Sequence, residues 1–197
     1  MENCYIRQLM SRPSPMSATF AKIRMTMNLT TLAWLATAAY SVHILEEYTF
    51  DWKNWARAVL GLPVEWNTFY ITNALVVVLG FIQAELAPKL VIAPLAFGSL
   101  MLINATFFHV LPVIRCRGRF SPGLVTGVVL FYPLGIAEFV QAGKEGRLTT
   151  ATGIGALLFG VTLMAFPIAM LRLKDRPFFL QHRDRDNLEK GTGGRGI

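Results

Sequence analysis

Charged residues are scarce in this chain. Asp, Glu, Lys and Arg together make up 16% of its 197 residues, against about 25% in a typical soluble domain. Apolar residues account for 53%, which exceeds the roughly 45–50% of soluble proteins. The shortage of charge excludes an ordinary soluble domain and, together with several long apolar runs, indicates a single integral membrane domain.

Cysteine is also nearly absent, with Cys4 near the N-terminus and Cys116 in an expected loop. Two cysteines so placed exclude a disulfide framework, and neither has a His or Cys neighbour at metal-ligand spacing. The net charge of +7 comes mostly from the two tails and one short loop. Because no compact basic face with interleaved aromatic residues is present, we expect no nucleic-acid partner. The lack of an internal repeat counts against a typical secondary transporter.

Five apolar runs are each long enough to cross the hydrocarbon core of a bilayer, which takes about 20 residues. Residues 51–60 combine tryptophans with mixed charges, which is typical of a short helix at the membrane surface. The sequence therefore predicts an all-α, polytopic membrane helix bundle over residues 28–173. We expect a basic, disordered arm at 1–27 and a charged tail at 174–197. The predicted spans are residues 29–49, 67–87, 90–112, 122–142 and 151–172.

The most informative short run is His43-Ile44-Leu45-Glu46-Glu47, which lies inside an otherwise apolar span. Ionisable groups within a membrane span are rare, and they usually face a protein interior or a water-filled cavity. Positions i, i+3 and i+4 of a helix share a face, so we expect His43, Glu46 and Glu47 to point at one small volume. An imidazole beside two carboxylates indicates metal binding or proton transfer.

Other polar residues fall at a similar expected depth. If all five spans cross, Asn73, Asn104 and His109 lie with His43 within about 12 Å of one membrane face, at a rise of 1.5 Å per residue. The asparagines could instead be hydrogen-bonding contacts between helices. Asn104 and His109 are also five residues apart, about 140° around an α-helix, so they do not share a face unless Pro112 distorts the end of that helix. Glu138 lies near the far end of its span, so we assign it, with Asn73, to the surroundings of the site or to substrate contact.

Taken together, these residues resemble the HXXEE-domain family of small bacterial integral membrane proteins. The likeness covers about residues 30–145. It implies a multi-pass protein of the bacterial inner membrane and an enzymatic role for the polar residues, but it names no reaction. The matching residues are His43, Glu46, Glu47, Asn104, His109, Pro133, Gly135 and Glu138.

We interpret the polar residues as the centre of a metal-dependent enzyme. Two histidines and one carboxylate, with a position left open, are a pattern of catalytic zinc. His43, His109 and one of the two glutamates would bind zinc, or else iron or manganese. The other glutamate would be the general base of a hydrolytic reaction. Asn104 or Asn73 would orient a lipophilic substrate that arrives sideways from the bilayer.

Two other functions fit the same residues. One is metal-free acid–base catalysis, such as a double-bond shift or a cyclisation on an isoprenoid-type lipid. The other is a proton- or cation-coupled carrier without enzymatic activity.

The orientation in the membrane follows from the basic residues. Lys and Arg near the span ends are more numerous on the face of the Arg115–Arg119 loop than on the opposite face. The positive-inside rule therefore predicts an outer N-terminus and a cytoplasmic C-terminus, with the His43–Glu47 motif near the cytoplasmic face.

Overall fold

The computed structural model describes residues 27–174, 176 and 178, and every regular element in that part of the chain is a helix. The predicted arm at 1–27 and tail at 174–197 lie almost entirely outside the described residues. The five predicted spans correspond to five long helices, whose bounds differ from the prediction by only a few residues. The helices are α1 (Leu29–Thr49), α2 (Trp52–Trp55, continued by π-helical Ala56–Leu60), α3 (Trp66–Leu86), α4 (Ile92–Arg115), α5 (Leu124–Lys144) and α6 (Thr150–Leu173).

Four of these helices, α3 to α6, are long and apolar enough to cross a membrane. The helix α1 has the same length as α3, 21 residues, but carries three ionisable residues in its last two turns. Large apolar side chains point outward from the bundle; for example, Ile71 is 72% exposed and Leu158 is 61% exposed. An apolar outer surface is what lipid-facing helices present, and the chain is a multi-pass membrane protein.

Side-chain caps fix where two of the long helices begin. The Asn28 side chain accepts a hydrogen bond from the backbone N–H of Thr31 at the start of α1, and Thr149 accepts one from Thr152 at the start of α6. Both caps satisfy backbone donors that have no partner inside the helix. The short helix α2 ends at Gly61, whose φ of +62° suits glycine.

The helix α4 lies at the centre of the bundle and packs against α1, α3, α5 and α6. Small residues allow the close approaches. Gly160 of α6 lies against the backbone of Ser99 and Leu100, and Gly80 of α3 lies against Thr37 of α1. The Thr37 hydroxyl donates to the Gly80 carbonyl at 2.9 Å. Such small-residue contacts and interhelical hydrogen bonds are the usual means of helix association in lipid.

Two of the long helices contain a π-helical segment. In α4 it spans Ala105–Val110, and in α5 it spans Gly127–Phe131. The two segments contact each other beside the end of α1. Short π-helical segments occur frequently at functional sites, and here they adjoin the polar residues that the sequence singled out.

Candidate metal centre

Two imidazoles and one carboxylate converge inside the bundle. His43 and Glu47 lie one turn apart on α1, and His109 approaches from α4. Both histidines are fully buried, and Glu47 is 5% exposed. The Oε1 atom of Glu47 lies 3.6 Å from Nε2 of His43 and 3.5 Å from Nε2 of His109. One ligand atom from each of the three residues lies within 4.8 Å of the others.

The π-helical segment of α4 aligns Asn104 with His109. The i→i+5 hydrogen bonding of a π-helix returns residues five apart to one face, whereas an α-helix would separate them by about 140°. The Asn104 Oδ1 atom consequently lies 3.0 Å from His109 Nε2. The local helix geometry therefore brings Asn104 to the cluster, which the α-helical spacing alone did not predict.

The proton on His43 can be assigned from its neighbour Thr126. The Thr126 hydroxyl lies 2.5 Å from Glu46 Oε2 and 2.7 Å from His43 Nδ1. A hydroxyl has a single proton, and a carboxylate is the stronger acceptor, so Thr126 donates to Glu46 and accepts from His43 Nδ1–H. The lone pair of His43 is then on Nε2, which faces Glu47 and has no hydrogen-bond partner among the described residues.

The second histidine has a polar partner at each ring nitrogen. His109 Nδ1 lies 3.1 Å from the hydroxyl of Ser121, and its Nε2 atom lies 3.0 Å from Oδ1 of Asn104. An amide oxygen only accepts hydrogen bonds, so the contact with Asn104 places a proton on Nε2, and binding of a metal through Nε2 requires that this proton leave or move to Nδ1. The Ser121 hydroxyl donates to the carbonyl of Phe108 at 3.4 Å, so it can accept from Nδ1–H in that tautomer, and such partners commonly accompany histidine ligands of metals.

Glu46 has a different environment from Glu47. Its carboxylate accepts hydrogen bonds from the backbone N–H groups of Gly123, Val125 and Thr126 at 2.8–3.1 Å, besides the Thr126 hydroxyl. These donors form the first turn of α5, where a carboxylate is favourable. The structure brings Glu47 to the two imidazoles, whereas Glu46 joins α1 to the beginning of α5.

Gly123 fits between the two imidazoles because it has no side chain. A Cβ atom at this position would lie 2.5 Å from Cε1 of His109 and 2.7 Å from Cε1 of His43. Its φ of +92° is also in the region that favours glycine. The backbone of the loop before α5 can therefore close over the edges of both rings.

The three residues direct two lone pairs and one ring N–H group at the same volume. His43 Nε2 and Glu47 Oε1 present the lone pairs, and His109 Nε2, whose proton is donated to Asn104 Oδ1, lies beside them. Among the described residues no Lys or Arg lies within ion-pair distance of Glu47. A proton shared with Glu47 would give a charge-assisted hydrogen bond of about 2.7–2.9 Å, which is shorter than the observed 3.5 and 3.6 Å.

A metal ion fits these separations better than a hydrogen bond does. Zinc lies about 2.0–2.2 Å from nitrogen and oxygen ligands, so two ligand atoms of a tetrahedral site are about 3.3 Å apart. Both imidazole–Glu47 separations are close to that value, and the three ligand atoms all lie within 4.8 Å of one another. His43, Glu47 and His109 can therefore hold a divalent metal ion and leave further coordination positions open.

The two remaining predicted residues lie in different places. Asn73 of α3 lines a cavity together with Glu47 and Asn104. Glu138 is fully buried and packs against Gly98 of α4, and neither of its carboxylate oxygens has a hydrogen-bond partner in the described part of the chain. It lies twelve residues beyond Thr126, about 18 Å along α5, so the structure does not bring it to the histidines.

The residues that sequence reasoning missed are Ser121, Gly123 and Thr126. They orient the imidazoles and enclose them, although they lie in a different segment from the histidines. The run Ser121-Pro122-Gly123 is a turn signal immediately before a predicted span, and that signal places a turn at the same membrane face as His43. It does not indicate which hydroxyl reaches which ring.

Residues 34–137, more than half of the chain, match the family described as "Protein of unknown function with HXXEE motif". The matched region includes both histidines, both glutamates and the loop that encloses them. No curated protein and no solved structure matches the chain. The chain belongs to the HXXEE family, whose function is unknown.

Proposed function

We propose that this protein is an enzyme of the bacterial inner membrane in which His43, Glu47 and His109 bind a divalent metal ion. Zinc is the ion that we expect first. The observation that carries this proposal is the convergence of two buried imidazole Nε2 atoms on one buried carboxylate, with His43 Nε2 left without a hydrogen-bond partner among the described residues. Burying a carboxylate without a compensating partner is costly. A bound cation removes that cost and uses the lone pair of His43 Nε2 at the orientation that Thr126 imposes.

We propose hydrolysis of a lipophilic substrate as the reaction. When bound, the metal polarises a carbonyl group and makes a neighbouring water more acidic. Glu47 lines the cavity beside the cluster; with its Oε1 atom towards the two imidazoles, its second carboxylate oxygen would remain to accept a proton from a water molecule. Asn104 and Asn73 line the same cavity and offer amide groups that orient the substrate carbonyl. Glu46 has all its hydrogen bonds with α5, so we assign it a positioning role rather than that of general base.

Metal analysis of the purified protein tests this proposal. We expect about one zinc, iron or manganese ion per chain, and we expect added metal to raise the melting temperature because it binds only the folded state. His43→Ala, His109→Ala and Glu47→Gln should each lose the ion while remaining inserted in the membrane. Glu85→Gln is the matched control, because this exposed carboxylate lies at the end of α3 away from the site. This variant should retain the ion.

Two outcomes would reject the metal centre. The first is wild-type protein that neither contains a metal nor binds one after reconstitution. The second is retention of the ion by the double variant His43→Ala with Glu47→Gln. The first result would leave metal-free acid–base catalysis by the same residues as the better explanation, and the second would assign the ion to other residues.

A further inference from the structure

The site opens towards the bilayer through a gap between two helices. α3 and α6 both pack closely against α4, whereas any direct contact between the two is slight. Two cavities fill the space between them. The inner cavity, of about 90 Å³, includes Glu47, Asn73 and Asn104 in its wall. The outer groove, of about 500 Å³, is lined almost entirely by apolar side chains, among them Ile71 and Phe166.

The inner cavity and the outer groove adjoin each other. Thr72, Val76 and Leu163 line both of them, and these three residues are called the passage here. The passage thus lies between Glu47, in the wall of the inner cavity, and the surface that α3 and α6 expose to lipid. A path through it would lead to Glu47 without crossing the membrane–water interface.

The groove runs parallel to the helices rather than across them. On α3 it extends from Thr68 to Leu79, and on α6 from Thr162 to Lys174. At 1.5 Å per residue each stretch is about 16–18 Å long, more than half the thickness of the roughly 30 Å hydrocarbon core. A groove of that length and direction matches one extended hydrocarbon chain lying alongside the lipid chains.

The depth of the passage restricts the polar end of the occupant. Thr72 and Val76 lie six and ten residues after Trp66, the first residue of α3, so the passage is about 9–15 Å along the helix from the membrane face. A charged or zwitterionic headgroup at that depth is costly, whereas a hydroxyl or ester group descends more easily. The inner cavity has room for a small functional group and a few water molecules.

We infer that the gap between α3 and α6 is a lateral portal for a neutral lipid with one hydrocarbon chain and a small oxygen-bearing end group, such as an alcohol or an ester. The hydrocarbon chain occupies the outer groove, and the end group passes Thr72, Val76 and Leu163 to reach Asn73, Asn104 and Glu47. This inference rests on the proposed function and adds the class of substrate and its route. A phospholipid is excluded because its headgroup remains at the surface.

Photolabelling in lipid nanodiscs tests the portal. The probe is a long-chain alcohol with a diazirine close to its hydroxyl, and adducts are mapped by mass spectrometry. Adducts on Tyr40 and Asn104, both almost fully buried and both in the wall of the inner cavity but not of the outer groove, report occupancy that bulk lipid cannot produce. We expect such adducts in the wild type, and we expect excess unlabelled long-chain alcohol to compete them away.

Filling the passage should abolish this labelling. Val76→Trp and, as a second variant, Thr72→Trp should reduce the adducts on Tyr40 and Asn104 at least tenfold. Leu158→Trp, on an exposed part of α6 that lines neither cavity, should leave them unchanged. A diacyl phospholipid with a diazirine near its headgroup should label the lipid-facing surface only.

Several results would overturn the portal. These are a wild type without inner adducts, passage variants that retain them, and equal inner labelling by the phospholipid. Cross-links from the groove to a second copy or to residues 1–26 would assign the groove to another occupant and likewise overturn the inference. Metal content measured on the same samples separates the proposals: metal without inner labelling refutes the portal alone, and inner labelling without metal refutes the metal centre alone.

Discussion

At the scale of the residue, the two neighbouring glutamates of the motif have different environments. The sequence predicted correctly that His43 and Glu47 share a face, because that follows from helix geometry. It could not separate Glu46 from Glu47, since positions i+3 and i+4 are both on that face. The separation depends on where the first turn of α5 lies, and its free N–H groups engage Glu46. The position of that turn is a tertiary property.

A second residue-scale feature gives a sharp prediction, because Gly123 and Gly118 share a backbone conformation but not an environment. Both have positive φ, +92° and +87°. Alanine at Gly123 would meet both imidazoles, whereas nothing lies within 4 Å of a Cβ at Gly118.

Gly123→Ala should therefore lower metal affinity at least tenfold and reduce the melting temperature. Gly118→Ala should cost only the backbone strain, about 1 kcal/mol. Isothermal titration with zinc and thermal unfolding in detergent measure both effects, and equal metal affinity in the two variants would contradict the enclosed arrangement.

At the scale of the element, hydropathy predicted the long helices but not their internal geometry. The apolar runs determine which segments are buried in lipid, so the span limits follow from composition. The π-helical segment at Ala105–Val110 is not visible in hydropathy. Its sequence signal is Pro112, two residues beyond it, which has no backbone N–H to continue the α-helical hydrogen bonding. That signal indicates a distortion of the helix but not which residues the distortion brings to one face.

A prediction at this scale concerns the helix ends at the membrane face opposite the site. Glu145 accepts a hydrogen bond from the backbone N–H of Leu29 at 2.9 Å, and Arg147 donates to the carbonyl of Ala87 at 2.8 Å. Partial burial acts to raise the pKa of Glu145, but hydrogen bonds from Gln141 and Leu29, together with Arg147, outweigh it and lower the pKa. The ionised form is thus favoured in the folded state, and its contribution to stability is present at neutral pH.

Glu145→Gln should therefore destabilise the bundle slightly at pH 7, by about 1 kcal/mol or less, because the carboxylate is near solvent. The contribution falls as the pH drops below the usual value of about 4.3 for a glutamate and vanishes below the lowered pKa of the folded state. Thermal unfolding of wild type and variant between pH 7 and pH 3 measures this difference. A difference that remains constant across the range would contradict an electrostatic contribution. Glu85→Gln, at an exposed carboxylate on the same membrane face, is the control.

At the scale of the whole molecule, α1 and α5 place their site-bearing ends at one membrane face. The ends of α1 and α4 and the beginnings of α3 and α5 meet there, next to the surface helix α2. The sequence predicted this layer from the alternation of spans alone, because successive crossing helices reverse direction. Which helices leave a gap between them is not contained in that alternation, and the space between α3 and α6 became visible only from their packing against α4.

The orientation of this layer relative to the cell is the remaining whole-molecule prediction. The site face has the Arg115–Arg119 loop and Arg57, and the opposite face has Lys89, Lys144 and Arg147. The larger positive charge of the site face predicts that it is cytoplasmic, with the C-terminus, at the end of the chain beyond α6, on the same side. In that orientation the site has access to the metal and water of the cytoplasm.

A C-terminal fusion to a fluorescent protein that matures only in the cytoplasm should fluoresce, and a C-terminal alkaline phosphatase fusion should be inactive. The opposite pair of results would move the site to the outer face, so that its metal would come from the periplasm.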